Sequence, residues 1–563
     1  MKELIRKYAL QNAIRYEGKA NASAIIGKII QEDPSAKQNM REVSKLINEI
    51  VKEVNKIPLE KQIKELKQTA PELLEQKKEE KKELPELKNA KQGRVVMRFA
   101  PSPSGALHIG HAYVLGLNYL LTKKYGGKLI LRIEDTNPEN IDSDAYDLIP
   151  EDAQWLTDGS VNEILIQSDR LGYYYDAAEQ LVQKGKAYVC ECSSDEFRTL
   201  VFKKQACPCR NLSVKEQLIR YEKMFSSYKP GEAVLRMKTD LEHPNPAMRD
   251  FSLMRINEHK HPKQGTNYRV WPLMNLCVAV DDHLTGVTHS IRGKDHIDNE
   301  RRQKFIFDAL DWGEMPVSLF LGRINFEGMP LSASEARLGI EEGKYSGWDD
   351  IRLPFLHAFK RRGYKSETFL EFAKEVGITL TDKTVPKEEF FKMINNINKE
   401  FIDKQSNRYF FVWDPVEIAI ENAPEQNVEL EYYPGDEKRG KRKFRAKQFF
   451  YIAKEDFESM KDKKLYRLMD CLNFKKVGKK FVFDSKEYEH YKEHGDKIFH
   501  WIPKEEKVVE VEVLMPDATV VKGIGEESLS KVKVNDLVQL ERFGFCRCDK
   551  KEGNKLSFWY AHR

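Results

Sequence analysis

The sequence predicts a multidomain α/β protein whose C-terminal third is all β. The chain has 563 residues, too many for one hydrophobic core, so we expect three to five domains. Residues 94–133 read as strand, loop, helix and strand, which predicts a parallel sheet. Beyond residue 412 apolar residues recur with period two, as in VEIAIE and VVEVEV, which is typical of antiparallel strands.

The composition indicates a well-solvated globular protein. Hydrophobic residues make up 40% and charged residues 33% of the chain, and the net charge is only +5. No run approaches the roughly 20 apolar residues of a membrane span. The first residues lack an apolar signal core and a small-residue cleavage site, so we expect a cytoplasmic location. This net charge neither requires nor excludes a nucleic-acid partner.

Residues 1–92 predict a helical extension and a linker. A Lys/Glu-rich segment broken by Pro71 and Pro85 indicates a solvated helix and then the linker. We interpret the region as a tethered appendage without chemistry, and a docking arm for RNA or a partner is the alternative. The helical signal comes from apolar residues spaced three and four apart: Val43, Ile47, Ile50, Val51 and Val54.

A βαβ unit begins at Arg94. RVVMRFA predicts a buried strand, GHAYVLGLNYLLTKKYGG a helix that ends at Gly126 and Gly127, and KLILRIED a second buried strand. This order implies a parallel sheet with a right-handed crossover. Further strands are predicted near YRVWPLMNLCVAVDDHL and GVTHSIRGKDH, followed by an amphipathic helix over DNERRQKFIFDALDW. Residues 350–412 are predicted to be mostly helical.

The loop PSPSGALHIGHA connects the first strand to the first helix of this unit. It places His108 and His111 at a helix N-terminus, where open α/β sheets bind ligands and backbone N–H groups favour anions. Two imidazole donors there suit a phosphoryl group whose charge grows in a transition state. Gly110 lets a flat group approach the backbone closely. Two incidental histidines in a turn are the alternative.

Two C-x-C pairs predict a metal site. In a cytoplasmic chain, four thiolates favour a tetrahedral structural Zn²⁺ over disulfides. C-x-C is tighter than the usual spacing, so four reduced thiols are the alternative. Cys546 and Cys548 have no partner pair and are interpreted as structural. The four candidate ligands, with fourteen residues between the pairs, are Cys190, Cys192, Cys207 and Cys209.

RFAPSPSGALHIGHA followed by LRIEDTNP resembles the class I aminoacyl-tRNA synthetases, and within them the glutamyl-tRNA synthetase family. The resemblance continues through AYVCECS, VDDHLTGVTHSIRGKDH, LSASE and GWDDIRLP and covers roughly residues 94–563. The all-β end is similar to the archaeal and eukaryotic type, since the bacterial type has a helical anticodon-binding region. Residues 1–90 carry no motif that matches.

The resemblance implies a Rossmann-type class I catalytic domain with an inserted acceptor-binding subdomain, a helical connecting domain and C-terminal all-β anticodon-binding barrels. We expect these regions in chain order: 1–92, the helical extension and linker; 93–189, the first half of the catalytic domain; 190–265, the inserted acceptor-stem-binding and zinc subdomain; 266–330, the second half of the catalytic domain; 331–412, the phosphate loop and connecting domain; and 413–563, the anticodon-binding barrels.

An ATP site is implied by the same resemblance. His108 and His111 stabilise the phosphates in this family, and Gly110 lies against the adenine. The phosphate-loop motif reads PLSASEARLG and keeps Ser332 and Ser334. Its two usual lysine positions hold other residues, and a Glu follows where a Lys is usual. A merely polar loop is therefore the alternative for LSASE.

The implied glutamate site contains two arginines. Arg98 pairs with the side-chain carboxylate of the substrate, Arg292 is the second pocket arginine, and Glu134 holds the α-ammonium group. Leaving an arginine unpaired beside glutamine would cost roughly 1–3 kcal/mol, which favours glutamate. Met274 stands where the family usually has Tyr, and Tyr268 is a candidate replacement. Ordinary structural ion pairing is the alternative for these charges. The expected pocket residues are Arg98, Ala100, Ser102, Glu134 and Arg292.

The densest basic run, DEKRGKRKFRAK, lies within the all-β third. Basic side chains bind phosphates and aromatic side chains stack on unpaired bases, so this run is a candidate RNA-binding element. A solvated hairpin tip is the alternative. The resemblance places anticodon binding here, and the candidate tRNA-binding residues are Arg408, Arg439, Lys441, Arg442, Lys443 and Arg445.

The activity implied by the resemblance is ATP-dependent ligation of L-glutamate to the 3′ end of tRNA(Glu) through glutamyl-adenylate, with Mg²⁺ neutralising the pyrophosphate. Related enzymes commonly need bound tRNA for the first step. One alternative is a non-discriminating form that also charges tRNA(Gln) and has a tRNA-dependent amidotransferase as partner. The other is a non-catalytic tRNA-binding paralogue, which the lysine-free phosphate loop motivates.

Overall fold

The computed structural model describes residues 1–15, 18–73 and 83–563. The chain divides into two compact units, Met1–Glu83 and Leu84–Arg563. Part of the predicted linker, residues 74–82, lies outside the described residues. Every helix in the described ranges is too short or too polar to traverse a lipid bilayer.

The first unit is helical, and the helix predicted from the 43–54 pattern is present. Its apolar positions are all buried, together with Ile5 and Ile29 from neighbouring helices. This small core gives the unit its own hydrophobic interior. The helices are α1 (Lys2–Arg15), α2 (Ala22–Glu32), α3 (Met40–Val54) and α4 (Leu59–Thr69).

The second unit begins with alternating strands and helices. Its first strands are β1 (Val96–Phe99), β2 (Lys128–Ile133), β3 (Glu163–Ile166), β4 (Ala187–Cys190), β5 (Val234–Met237), β6 (Ser252–Ile256), β7 (Val270–Pro272), β8 (His289–Gly293) and β9 (Val317–Leu321). Its first helices are α5 (Ile109–Lys124), α6 (Ala145–Leu156), α7 (Leu171–Gln183), α8 (Ser194–Phe202), α9 (Val214–Ser226), α10 (Met274–Leu284) and α11 (Ile297–Ala309).

A five-stranded parallel sheet in the order β3-β2-β1-β8-β9 forms the centre of this region. The predicted βαβ unit is present as β1, α5 and β2, and the three predicted apolar runs are buried. Because β1 is central, the loop with the two histidines leaves the middle of the sheet at its carboxyl end. Open α/β sheets bind ligands at this edge.

A four-stranded antiparallel sheet, β4 to β7 in sequence order, is inserted between β3 and β8. Its strands run from Ala187 to Pro272, slightly beyond the 190–265 that the sequence predicted for the inserted subdomain. Helices α8 and α9 lie within the insertion, and its strands pack in a second core with α7 and α10.

The strand predicted near YRVWPLMNLCVAVDDHL is present only over Val270–Pro272, as β7, and the residues that follow, from Met274, form helix α10 instead. Eight consecutive residues, Asn275 to Asp282, are buried. A short helix that is buried on all sides has no polar face, so its apolar run cannot be told from a buried strand by periodicity. The correction matters for function because the helix carries Asp281 and Asp282, which both pair with the buried Arg132.

Strands begin at Asn407, before the end of the 350–412 region that was predicted to be mostly helical, and helices dominate residues 333–402. They are α12 (Ala333–Glu341), α13 (Leu356–Arg362), α14 (Ser366–Val376) and α15 (Lys387–Ile402). Strands β10 (Ile324–Glu327) and β11 (Lys383–Pro386) pair beside them in parallel. Phe359, Phe369 and Phe390 from these helices join the core that covers α5.

The remainder is mostly β, as predicted, and begins at Asn407, slightly before the predicted start after residue 412. Its strands are β12 (Asn407–Tyr409), β13 (Phe411–Trp413), β14 (Pro415–Glu421), β15 (Gln426–Glu431), β16 (Lys441–Ala446), β17 (Phe449–Ala453), β18 (Leu465–Leu468), β19 (Asn473–Val477), β20 (Lys480–Ser485), β21 (Gly495–Phe499), β22 (Ile502–Pro503), β23 (Val508–Leu514), β24 (Val520–Glu526), β25 (Leu537–Leu540), β26 (Gly544–Glu552) and β27 (Lys555–His562). Two short helices are α16 (Lys454–Ser459) and α17 (Tyr488–His494). Two seven-stranded sheets run in the orders β12-β25-β26-β27-β23-β24-β13 and β21-β18-β19-β20-β14-β17-β22, and β15 and β16 form a separate hairpin.

Candidate active site

The segment His108–His111 has the sequence HIGH, and its two histidines together cap the N-terminus of helix α5. Nδ1 of His108 accepts hydrogen bonds from the backbone N–H groups of Gly110, at 3.0 Å, and His111, at 3.4 Å. Nδ1 of His111 accepts one from the N–H of His108, at 3.3 Å. This reciprocal arrangement is a capping box built from imidazoles. The rings stack with their centroids 3.8 Å apart.

Both imidazoles are neutral hydrogen-bond donors near pH 7. Burial lowers the pKa of His108 to about 4. The pKa of His111 is also well below its ordinary value, because of burial and then the neighbouring His108. Since each Nδ1 accepts a backbone hydrogen bond, each proton is assigned to Nε2. The sequence left the charge state open, and the structure favours two Nε2–H donors over two cations.

Glycine at position 110 leaves room for the imidazole ring of His108. A Cβ at this position would lie 2.8 Å from Cε1 of His108, so the ring that caps the helix covers the glycine. The close approach of a flat ligand to Gly110, which the resemblance implies for the adenine, stays a prediction. Gly105, which the sequence did not single out, adopts a φ of +149° and faces Trp348, whose ring leaves no room for a Cβ.

The LSASE segment lies at the start of α12. Ser332 caps this helix and accepts a hydrogen bond from the N–H of Glu335 at 3.3 Å. Ser332 and Ser334 are exposed. Ala336 of α12 packs in one apolar cluster with Ala106, which lies two residues before His108. The start of α12, with its free N–H groups, is therefore held near the HIGH loop without a lysine in the motif.

Four of the five predicted pocket residues, namely Arg98, Ala100, Glu134 and Arg292, line one cavity of about 140 Å³. Ser102 is exposed and is not among the lining residues. Further lining residues that the sequence analysis did not select are Phe99, Val114, Val278, Ile291, Gly293, His296 and Gln303.

The carboxylate of Asp282 pairs with the arginines at this cavity. The sequence analysis did not select Asp282 as a site residue. The carboxylate is buried and lies 2.6 Å from Nη1 of Arg132, 3.3 Å from Nε of Arg98 and 3.7 Å from Nη2 of Arg292. Burial acts to raise the pKa of Asp282, but the guanidiniums outweigh it and hold the pKa below its ordinary value. Asp282 is therefore ionised and fixes three arginines around the cavity.

Arg292 keeps a donor free for a ligand. Its Nη1 donates to Oε1 of Gln303 at 2.8 Å, whereas its buried Nη2 has no hydrogen-bond partner among the described residues. Burial and then the neighbouring Arg98 lower the pKa of Arg292 to about 10. A buried, unsatisfied donor in a surplus of positive charge suits an incoming carboxylate.

Glu134 supplies the opposite charge at the cavity. Its Oε1 accepts a hydrogen bond from Nη2 of Arg132 at 3.1 Å, and its side chain is 21% exposed. One carboxylate oxygen therefore remains available to an ammonium group. Met274 lines the cavity, as its place in the sequence suggested, but Tyr268 is not among the lining residues and does not replace the expected tyrosine.

The four paired cysteines converge in the inserted subdomain. Their sulfur atoms all lie within 4.8 Å of one another, and those of Cys190 and Cys207 are 3.8 Å apart. Zn–S bonds of about 2.3 Å in a tetrahedron would place the sulfurs about 3.8 Å apart, so the cluster fits Zn²⁺. Sγ of Cys209 also accepts hydrogen bonds from the N–H of Glu191, at 3.4 Å, and Nη1 of Arg220, at 3.5 Å. Such donors stabilise thiolates.

The basic run forms strand β16, whose residues alternate between exposed and buried. The side chains of Lys443 and Arg445 are 76% and 67% exposed, and that of Lys441 also faces solvent. Arg442 points inward, where its guanidinium lies 2.6 Å from both Glu526 and Glu541. Arg442 is therefore a structural ion-pair residue, and it is removed from the candidate tRNA contacts because RNA phosphates cannot reach it.

Arg408 and Arg439 meet at Tyr433. Their guanidinium carbons lie 5.1 Å and 4.9 Å from the centroid of its ring. Each also has an acidic neighbour, Asp403 for Arg408 at 3.7 Å and Asp436 for Arg439 at 2.9 Å. The two arginines share an aromatic surface, although they lie 31 positions apart in the sequence.

Comparisons with known proteins agree with this architecture. Residues 94–402 match the family model "tRNA synthetases class I (E and Q), catalytic domain", where E and Q stand for glutamate and glutamine. Residues 406–491 and 487–549 match two models for the anti-codon binding domain of the same group. A glutamate–tRNA ligase of Pyrococcus furiosus is 44% identical over 580 aligned positions, and one of Methanocaldococcus jannaschii is 42% identical over 568. Both alignments cover 100% of each chain.

Proposed function

The chain belongs to the class I tRNA synthetases specific for glutamate and glutamine, and we propose from this that it is a glutamate–tRNA ligase that uses ATP. Its full-length similarity to curated glutamate–tRNA ligases supports the reaction. The observation that carries the choice of glutamate is the free Nη2 donor of Arg292 in the charged cavity.

In the proposed complex, Arg98 and Arg292 hold the side-chain carboxylate of glutamate. Glu134 accepts hydrogen bonds from the α-ammonium group. A neutral amide would leave the buried Nη2 donor of Arg292 unpaired, at a cost of roughly 1–3 kcal/mol, or about a five- to 150-fold preference for glutamate. Asp282 positions both arginines and does not itself touch the substrate.

The HIGH histidines act on ATP in this proposal. As the α-carboxylate of glutamate attacks the α-phosphorus and pyrophosphate leaves, the Nε2–H groups of His108 and His111 donate to the phosphate oxygens. Both imidazoles keep their protons, so they stabilise charge and do not act as bases. The N-terminus of α12, with Ser332 and Ser334, is assigned to the pyrophosphate. Bound Mg²⁺ supplies charge neutralisation for the triphosphate in enzymes of this class.

A hydroxyl of the terminal tRNA adenosine then attacks glutamyl-adenylate, and AMP leaves. Charging with labelled glutamate and glutamine on tRNA(Glu) and on tRNA(Gln) tests the proposal. Glutamate on tRNA(Glu) alone is the expected product. Equal charging of tRNA(Gln) would favour the non-discriminating alternative and with it an amidotransferase partner. Binding of tRNA without charging would favour the non-catalytic paralogue.

We also propose that Cys190, Cys192, Cys207 and Cys209 hold a structural Zn²⁺. The purified protein is then expected to contain about one zinc per chain, because the four sulfur atoms already approach tetrahedral spacing. Cys190→Ser is expected to lose zinc and to lower the melting temperature, as measured by metal analysis and thermal denaturation. Cys548→Ser, from the other C-x-C pair, is the control and should keep the zinc. Less than a third of an equivalent in the unaltered protein, with stability unchanged in Cys190→Ser, would contradict the site.

The exposed face of β16 is proposed to bind tRNA phosphates. Replacing both Lys443 and Arg445 by Ala is expected to weaken tRNA binding about three- to thirtyfold and to lower the salt dependence of log Kd by roughly one per lost phosphate contact. Filter binding at several salt concentrations measures both quantities. Lys550→Ala removes a similarly exposed lysine from β26 and is the control. An unchanged Kd in the double variant would refute this contact.

A further inference from the structure

The backbone just before His108 is held by two other segments of the chain. The N–H of Leu107 donates to Oδ2 of Asp152 in α6 at 3.1 Å, and the carbonyl of Leu107 accepts the N–H of Leu356 at the start of α13 at 2.8 Å. The N–H of Ile109 donates to the carbonyl of Pro354 at 3.2 Å. The direction in which His108 leaves the loop therefore depends on these anchors.

Asp152 is fully buried, and His357 is its one side-chain partner within the described part of the chain. Its Oδ1 lies 2.6 Å from Nδ1 of His357 in α13. Nε2 of His357 lies 3.3 Å from Glu151, which also pairs with Lys360 at 2.8 Å. Burial acts to lower the pKa of His357, but Asp152 and then Glu151 outweigh it and raise the pKa. A buried carboxylate needs such a partner to keep its charge and orientation.

We propose that Asp152 and His357 are positioning residues for ATP. His357 orients the carboxylate of Asp152, the carboxylate fixes the N–H of Leu107, and the fixed turn directs Nε2–H of His108 toward the phosphates. The inference rests on the proposed role of His108 in ATP binding. Neither Asp152 nor His357 lines the amino-acid cavity, so we expect their loss to affect ATP binding more than glutamate binding.

Two isosteric variants of His357 test this role. The amide nitrogen of Asn reaches the place of Nδ1, whereas that of Gln reaches the place of Nε2. His357→Gln is therefore expected to raise the KM for ATP about tenfold or more, with the KM for glutamate changed less than about twofold. His357→Asn keeps the donor to Asp152 and should stay within about threefold of the unaltered enzyme. ATP–pyrophosphate exchange with tRNA(Glu) present measures all of these values.

A second substitution keeps the test decisive if His357→Gln does not fold. Asp152→Asn gives Leu107 a weaker, uncharged acceptor, and the KM for ATP is expected to rise at least about threefold. An unchanged KM for ATP in the folded variants, or equal increases for ATP and glutamate with a lower melting temperature, would overturn the inference. Absence of exchange in the unaltered enzyme would overturn the proposed function itself, so the two failures are distinguishable.

Discussion

Arg98→Ala is expected to abolish glutamate-dependent ATP–pyrophosphate exchange. The side chain is buried at the cavity, and removing one partner of a buried charged pair costs about 2–5 kcal/mol. That corresponds to a loss of about thirty- to several-thousand-fold in kcat/KM for glutamate. The fold should survive, because Asp282 keeps Arg132 at 2.6 Å when Arg98 is removed.

Arg94→Ala is the matched control for Arg98→Ala. Arg94 lies four positions earlier, just before the same strand, and is exposed. Its removal should leave the kcat/KM for glutamate within about twofold of that of the unaltered enzyme. Exchange kinetics with glutamate as the varied substrate compare the two variants. Retention of glutamate use in Arg98→Ala would refute the assignment of the cavity.

Asp282→Ala is expected to destabilise the catalytic region by about 3–5 kcal/mol. The substitution leaves the buried guanidiniums of Arg98, Arg132 and Arg292 without their shared carboxylate, and an uncompensated buried charge is costly. Urea unfolding followed by tryptophan fluorescence measures the loss. Because the pKa of Asp282 is held below 3.8, its contribution to stability is present above pH 3.8 and is lost as the pH falls through the lowered pKa.

An exposed ion pair provides the control for Asp282→Ala. Asp311 lies 2.8 Å from Lys184, and the two side chains are 82% and 41% exposed. Asp311→Asn should change the free energy of unfolding by less than about 1 kcal/mol, since exposed pairs contribute little. Equal effects of the two substitutions would show that Asp282 does not organise a buried charge cluster.

The sequence predicted the parts of the fold in which local pattern and burial agree. β1, α5 and β2 have long apolar runs bounded by glycines and by the HIGH loop, so their types and order could be derived. Helix α10 could not, because it is buried on all sides and its apolar run lacks the polar face that reveals a helix.

Some residues of the candidate site could be named from the sequence, and Asp282 could not. Arg98, His108, Glu134 and Arg292 were selected through the family resemblance, which rests on motifs that are contiguous in the sequence. Asp282 meets Arg98 and Arg132 only through tertiary packing between segments 184 and 150 positions apart, which no local pattern reveals.

Arg442 shows where a local signal was present and was overlooked. In the strand KRKFRA, period-two alternation places Arg442 on the same face as Phe444 and Ala446. A basic residue on the apolar face of a strand indicates a buried ion pair, and Glu526 and Glu541 provide it. The alternation alone would have separated Arg442 from Lys443 and Arg445.

ATP–pyrophosphate exchange tests the central claim most directly. It is measured with glutamate and, separately, with glutamine, each with and without tRNA(Glu). We predict exchange with glutamate that appears only when tRNA(Glu) is present, and little or none with glutamine, because the cavity offers the unpaired Nη2 donor of Arg292 to a carboxylate. That result would also show that LSASE supports adenylate formation without lysines. No exchange under any of these conditions, with tRNA still bound, would contradict the account and favour a non-catalytic tRNA-binding protein.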